Sequence, residues 1–172
     1  MKPGYVFSTE RLDVRRWRET DEPLIFRLYS DPDVVRWVDD GEAITWAEVT
    51  RWMNVTRQNY DKRGYGMFAI DDRKMPDTIG FGGLVHPNNQ PEPEIKYAFR
   101  PAVWGRGIAT EFVRGLIDYG RTTHGIDRMI ATVAAENAAS IRVLQRSGLQ
   151  RTNSRTDEAG VRVELFARPS ER

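Results

Sequence analysis

Apolar residues alternate with polar ones in some segments of the chain and recur every three or four residues in others, which predicts both strands and helices. Strands are predicted over residues 9–15, 65–70, 78–86, 94–99, 128–134, 149–156 and 161–167. A helix is predicted over about residues 22–29, followed by a short second helix that ends at residue 37. Longer helices are predicted over residues 45–62, 108–123 and 136–148. We expect one α/β domain that spans residues 1–172, with no repeat and no interdomain linker.

Composition narrows the chemistry of this domain. The net charge of +1 gives no reason to expect nucleic acid or an anionic membrane as a partner, and a cytoplasmic protein is expected. The chain has no cysteine, which excludes disulfides, a thiolate metal site and a cysteine nucleophile. His86 and His124 lack acidic or histidine neighbours at ligand spacing, so no metal is expected and a surface or capping role is predicted for both.

The most informative segment is a strand, a glycine-bearing turn and an amphipathic helix over residues 94–119. Pro101 ends the strand, and Gly105 and Gly107 let an anion approach the main chain without a Cβ in the way. Free N–H groups of the first helical turn and the charge of Arg106 would attract that anion. The segment therefore predicts a pyrophosphate site; an ordinary loop before a packed helix is the alternative.

Known phosphate motifs differ from this turn. Thr110 stands where a dinucleotide fingerprint needs its third glycine, and the chain has no Gly-Lys-Ser/Thr triplet. Residues 104–109, three residues after Pro101, instead resemble the pyrophosphate loop of the GNAT family of N-acetyltransferases. Trp104 replaces the usual Arg or Gln, and with the Ala-Thr-Glu that ends at Glu111 this resembles the RimJ/RimL branch, which acetylates ribosomal proteins at their N-termini.

Two further segments are similar to the same branch. The opening Thr9-Glu10-Arg11-Leu12 is one, and the pattern of Asn, Ser, an apolar pair, Gly and Leu over residues 137–149 is the other. The resemblance implies a mostly antiparallel mixed sheet of six to seven strands, splayed between the fourth and fifth predicted strands and flanked by helices on both faces. It also implies direct transfer of an acetyl group from acetyl-CoA to a primary amine in a ternary complex.

The resemblance also assigns residues to the cofactor. It implies contacts with the main chain of Ala98 and Phe99, which would hold the pantetheine and the oxyanion. Asn137 is expected to cap a helix and face the cofactor, and the hydroxyl of Ser140 to protonate the leaving sulfur; the alternative for Ser140 is a hydrogen bond back to its own helix. The phosphates are expected on the N–H groups of Trp104, Gly105, Arg106, Gly107, Ile108 and Ala109.

An amine must lose a proton before it attacks a thioester, so the reaction needs a general base. Glu94 is the candidate for that base. It begins the strand whose far end meets the cofactor, and it could act through a water. Lys96 replaces a glycine that is usual in the branch, and it could pair with Glu94 or lower its pKa. A structural salt bridge is the alternative role for Glu94.

The acceptor itself is less defined. A protein N-terminal α-amine or a small-molecule amine would fit the resemblance, which is also compatible with a homodimer. Tryptophan is concentrated in the first third of the chain, where core packing is expected and an aromatic acceptor pocket is the alternative: Trp17, Trp37, Trp46 and Trp52. Two other functions stay open, an inactive module that binds CoA or an acylated ligand and a nucleotide-dependent oxidoreductase.

Overall fold

The computed structural model describes residues 4–169, which form one continuous sheet of eight strands in the order β1-β2-β3-β4-β5-β6-β8-β7. All neighbours are antiparallel except β5 and β6, which run parallel. The strands are β1 (Tyr5–Ser8), β2 (Leu12–Arg15), β3 (Met67–Asp72), β4 (Thr78–Val85), β5 (Glu94–Phe99), β6 (Ile130–Ala134), β7 (Gln150–Thr156) and β8 (Arg162–Ala167).

Five α-helices cover the two faces of the sheet: α1 (Glu22–Ser30), α2 (Pro32–Val35), α3 (Trp46–Arg63), α4 (Ile108–His124) and α5 (Ala138–Arg146). A large apolar cluster lies under α4 and α5 and includes Phe68, Phe99 and Phe112. A second cluster lies under α1, α2 and α3 and includes Phe81 and Ala98. Neighbouring residues of β5 thus point to opposite faces, as alternation along a strand requires.

Helix ends follow the expected sequence signals. The Thr45 hydroxyl accepts from the N–H of Glu48 and the Glu48 carboxylate accepts from the N–H of Thr45, so the pattern Thr-x-x-Glu forms a capping box at the start of α3. Gly64, with φ +80°, ends that helix in the left-handed region. Asn137 caps α5 as predicted, because its side-chain oxygen accepts from the N–H of Ser140 at 3.1 Å.

The predicted mixed α/β sheet with helices on both faces is confirmed, but it has eight strands rather than six or seven. The additional strand is β1, whose segment lacks a clear alternation of polar and apolar residues. Phe7 of β1 stacks on Tyr119 of α4 with ring centroids 5.1 Å apart. Packing against a distant helix therefore fixes this strand, which local pattern could not reveal.

Core packing was expected for four tryptophans, and this is wrong for two of them. Trp17 is buried and packs edge-on against Trp52, in line with the expectation. Trp37 and Trp46 are 44% and 52% exposed. Trp46 stacks face to face on Phe26 with ring centroids 4.4 Å apart, so it packs against one neighbour at the surface rather than inside the core.

Candidate active site

A gap opens in the sheet between β5 and β6. The two strands share one register pair among the described residues, Glu94 with Ile130, where the N–H of Ile130 donates to the carbonyl of Pro93 at 3.0 Å. On its other side β5 pairs with β4 along all six of its residues. The gap therefore widens from Glu94 toward Phe99, which confirms the predicted splay.

The main chain of β5 presents alternate residues to this gap. The N–H of Arg100 donates to Ile79 at 2.9 Å, and a Cβ on Gly80 would collide with the carbonyl of Ala98, so both residues face β4. Since strand neighbours alternate in direction, the N–H groups of Tyr97 and Phe99 face the gap. Ala98 was predicted to offer its main chain to the cofactor, but its main-chain groups face β4. Tyr97 and Phe99 are the residues that present main-chain groups to the gap.

The mouth of the gap is formed by the turn that leads into α4. Gly105 and Gly107 have φ of +71° and +74°, a region that glycine adopts without strain, and α4 begins directly after Gly107. The first helical hydrogen bond runs from the N–H of Glu111 to the carbonyl of Gly107 at 3.0 Å. The N–H groups of residues 108–110 therefore lack helical partners, as in any first turn, and they form a donor surface at the positive end of the helix.

Trp104 and Arg106 differ in how they relate to this surface. The Trp104 indole is 55% exposed, and its N–H donates to the carbonyl of Phe99 at 2.8 Å, which fixes the ring beside the end of β5. The Arg106 guanidinium lies 4.0 Å from the buried carboxylate of Asp72. Its charge is therefore partly balanced by Asp72, and the prediction that it attracts an anion stays a prediction.

An arm formed by residues 9–12 packs against the first turn of α4. Thr9 and the main chain of Arg11 donate to one oxygen of Glu111 at 2.5 and 2.7 Å, and the Arg11 side chain donates to the other at 2.6 Å. Partial burial raises the pKa of Glu111, but these hydrogen bonds and the Arg11 charge outweigh it and hold the pKa below its usual value. A second nitrogen of Arg11 donates to the carbonyl of Arg106 at 2.8 Å.

Two hydroxyl groups meet across the gap. The Ser140 hydroxyl of α5 and the Tyr97 hydroxyl of β5 share a hydrogen bond of 2.7 Å. Ser140 therefore bonds to the opposite wall, and the alternative of a hydrogen bond back to its own helix is wrong. Burial raises the pKa of Tyr97 to about 12, and the hydrogen bond with Ser140 opposes the rise. Tyr97 thus stays protonated at neutral pH.

Tyr97 was not predicted from the sequence as a residue of the gap, although its position in β5 indicates it. Tyr97 has the same parity in β5 as Ile95 and Phe99, which pack under α4 and α5. A residue at that position of the splayed strand has its main chain in the gap and its side chain on the face covered by α4 and α5. The alternation of residues along β5 would therefore have identified Tyr97.

Glu94 lies at the closed end of the gap, on the opposite face of the sheet from Tyr97. Its side chain is buried, and the Gln90 amide donates to one carboxylate oxygen at 3.4 Å. Glu94 and Tyr97 are three positions apart in β5, about 10 Å along the strand. Lys96, which could have paired with Glu94, has another partner: its ammonium lies 3.6 Å from the carboxylate of Asp39, in the loop between α2 and α3.

Neither a metal-binding cluster nor a membrane-spanning helix is found among residues 4–169. Within residues 4–169, no cluster of three or more His, Asp or Glu side chains is arranged to hold a metal ion. His86 instead contacts the Tyr65 hydroxyl at 3.0 Å, and His124 contacts the Tyr119 hydroxyl at 2.9 Å. None of the helices in the described part of the chain has the length and apolar character needed to cross a membrane.

Comparison with known proteins identifies the family. The family model described as "Acetyltransferase (GNAT) domain" matches residues 11–150, most of the chain. The chain belongs to the GNAT acetyltransferase family. This GNAT protein is an acyl-CoA-dependent N-acetyltransferase, and the oxidoreductase alternative is excluded.

Proteins similar to this GNAT protein include N-acetyltransferases whose names give different acceptors. An "Uncharacterized N-acetyltransferase YoaA" from Bacillus subtilis (strain 168) is 29% identical over 85% of this chain and 83% of its own. The ribosomal-protein α-N-acetyltransferase RimL in complex with coenzyme A is 17% identical, with TM-score 0.80 over 95% and 97% of the two chains. A spermidine N-acetyltransferase from Vibrio cholerae in complex with CoA and spermine is 16% identical, with TM-score 0.76 over 91% and 94%. At these identities the two structures establish the fold alone.

Proposed function

We propose that this enzyme transfers an acetyl group from acetyl-CoA directly to a primary amine in a ternary complex. One observation carries the proposal: the gap between β5 and β6 leads from the glycine turn at its mouth to a hydroxyl pair inside, with a buried carboxylate at its closed end. A thioester held in that gap would have a donor for its sulfur on one face of the sheet and a base on the other.

The cofactor would enter from the mouth. Its pyrophosphate would accept hydrogen bonds from the N–H groups of residues 104–109, where the helix dipole adds favourable charge. Its pantetheine would lie along β5 in the position of a neighbouring strand. It would accept hydrogen bonds from the N–H groups of Tyr97 and Phe99, which face the gap. Asn137, at the start of α5, would line the opposite wall beside Ser140.

The acceptor amine would approach from the face that carries Glu94. A protonated amine must lose a proton before it can attack the thioester carbon, and Glu94 would accept that proton. Because Glu94 sits about 10 Å along the strand from Tyr97, the proton would pass through an intervening water. The tetrahedral oxyanion that forms would be held by a main-chain N–H at the splayed end of β5.

Collapse of the intermediate breaks the carbon–sulfur bond and leaves a thiolate beside Tyr97 and Ser140. A thiol has a pKa of about 8.5, well below the value of about 12 for Tyr97, so complete proton transfer from the phenol to sulfur is unfavourable. The hydroxyl pair therefore acts mainly by donating a hydrogen bond to the developing thiolate, which lowers the barrier without a net proton transfer from Tyr97. The thiolate is then protonated from solvent.

The acceptor would be a protein N-terminal α-amine or a small-molecule amine, and the branch would be RimJ/RimL. The sequence similarities at residues 9–12, 104–111 and 137–149 support that branch, together with the likeness to RimL. The spermidine enzyme with the same fold supports the small-amine alternative. The acidic loop that contains Asp39 and Asp40 lies near Lys96 and so borders the acceptor side.

The proposal is tested by measuring free thiol release from acetyl-CoA with a panel of peptides and small amines. We expect release that depends on the acceptor amine, with mass spectrometry showing one acetyl group on the product. Binding of CoA by calorimetry without turnover of any acceptor would favour the inactive binding module instead. A covalent acetyl-enzyme found in the absence of acceptor would contradict direct transfer.

A further inference from the structure

The arm of residues 9–12 contacts the glycine turn in a way that the proposed chemistry does not use. Arg11 is the residue that joins the two, because one of its guanidinium nitrogens binds Glu111 and another binds the carbonyl of Arg106. The arm itself is a tight turn: the N–H of Thr9 donates to Leu12 at 2.9 Å. Gly115 of α4 allows this close approach, since a Cβ there would lie 2.6 Å from the Thr9 methyl group.

The contact with Arg106 determines the orientation of one peptide group. The peptide between Arg106 and Gly107 is trans, so its carbonyl and its N–H point in opposite directions. When the carbonyl is bound to Arg11, the N–H of Gly107 must point away from Arg11. Glycine has little preference between positive and negative φ, so without Arg11 this peptide could rotate and present its carbonyl instead.

The contact with Glu111 removes an electrostatic obstacle at the same place. Glu111 lies in the first turn of α4, next to the N–H groups that face outward from the helix end. An unpaired carboxylate there would repel a pyrophosphate, whereas its pairing with Arg11 at 2.6 Å neutralises it. The two contacts of Arg11 thus favour the same outcome, a donor surface without competing negative charge.

We propose that Arg11 is a positioning residue for the cofactor: it clamps the 106–107 peptide so that the N–H of Gly107 faces the pyrophosphate. This inference rests on the proposed function, because the pyrophosphate is its ligand. The clamp needs donors on two separate nitrogens held in a fixed plane, which arginine has and lysine, with its single nitrogen, lacks. Lysine at this position would neutralise Glu111 and leave the carbonyl of Arg106 free.

Arg73 provides a matched control. It braces the same arm, donating to the carbonyl of Glu10 at 2.6 Å and binding Asp13 at 2.9 Å. Its hydrogen bonds among the described residues lie on the arm and on β2, away from the turn at residues 104–107. Its charge acts on Glu111 without a hydrogen bond to that carboxylate. Removal of Arg73 loosens the arm without releasing the 106–107 peptide.

The test compares Arg11→Ala, Arg11→Lys and Arg73→Ala with the wild-type enzyme. Calorimetry with CoA should show affinity lower by roughly tenfold or more for both Arg11 variants, with KM for acetyl-CoA rising far more than kcat falls. Arg73→Ala should bind CoA as the wild type does. In the free proteins, NMR relaxation dispersion at the Gly107 amide should reveal exchange in both Arg11 variants only.

Three results would overturn the clamp. Arg11→Lys with wild-type affinity would show that charge alone matters, and Arg73→Ala with an equal loss would show a general effect of the arm. A Gly107 amide without exchange in Arg11→Lys would show that the peptide needs no clamp. Wild-type protein that fails to bind CoA would refute the proposed function, and the NMR measurement would then still decide on the clamp.

Discussion

Tyr97 and Ser140 share a 2.7 Å hydrogen bond from opposite walls of the gap between β5 and β6. Each hydroxyl thereby holds the other in place where the thiol of the cofactor is proposed to lie. The two groups act as a unit, so removal of one should affect the rate almost as much as removal of both.

Tyr97→Phe, Ser140→Ala and the double variant test this coupling. Each single change should lower kcat by roughly 10- to 100-fold, since the sulfur loses an oriented donor, and the double variant should be little slower than either. Steady-state kinetics at saturating acetyl-CoA provide the measurement. Strictly multiplicative losses would mean that the two hydroxyls act independently.

Glu94→Gln tests the general base. The substitution keeps the shape and removes the proton acceptor, so kcat should fall roughly 10²- to 10⁴-fold with little change in affinity for acetyl-CoA. The acidic limb of the pH–rate profile should flatten, because that limb reports protonation of the base. Glu92→Gln is the matched control, since Glu92 is an exposed partner of Arg128.

If Glu94→Gln keeps its activity and its acidic limb, a chain of waters to solvent deprotonates the amine. Glu94 would then be a structural partner of Gln90. Ser140→Ala should retain the acidic limb in either case, because its hydroxyl acts on the leaving sulfur.

Gly107→Val tests the anion surface. The valine would have to adopt φ near +74°, which L-residues with branched side chains avoid, and the turn would distort. Affinity for CoA should fall by at least roughly tenfold while the protein stays folded at room temperature. Gly160→Val, in the turn between β7 and β8, imposes the same strain at φ +79° far from the site; equal losses of CoA affinity in both variants would place the surface elsewhere.

The pairing of Glu111 predicts a pH dependence of stability. The pKa of Glu111 is lower in the folded protein than its usual 4.5, so the unfolded chain binds its proton first as the pH falls. The stabilisation is complete above pH 4.5 and is lost as the pH falls through the folded pKa. Glu111→Gln should lower the free energy of unfolding by about 1–3 kcal/mol at pH 7.

Urea denaturation at pH 7 and at pH 3 gives the comparison. The difference between wild type and Glu111→Gln should be smaller at pH 3, because below pH 4.5 the unfolded chain already binds the proton of this carboxylate. A difference that does not change between the two pH values would mean that the pairing with Arg11 is unimportant for stability.

The sequence predicted most of the fold because its signals are local. The capping box at Thr45, the glycine after α3 and the alternation along β5 each concern neighbouring residues. β1 was missed because its apolar side chains pack against α4, a contact over more than a hundred residues of chain. Exposure of Trp37 and Trp46 was missed because a large apolar side chain predicts burial only on average.

The candidate site was predictable in its main-chain features and less so in its side-chain contacts. The residues near Gly105 and Gly107 follow from the requirement for positive φ before a helix. Three contacts depend on how distant elements meet: Tyr97 with Ser140, Lys96 with Asp39, and Arg11 with Arg106. Residue patterns do not specify those distances, so only the structure could supply them.

Because residues alternate along β5, the proposed chemistry places the acetyl donor on one face of the sheet and the acceptor amine on the other. Tyr97 and Phe99 belong to the face with α4 and α5, whereas Glu94 and Lys96 belong to the face with α1, α2 and α3. Substitutions on the second face can accumulate after gene duplication without disturbing the first. Acceptor preference can then evolve while the acetyl donor stays the same, and Lys96 with its Asp39 partner is the pair at which such divergence should be sought first.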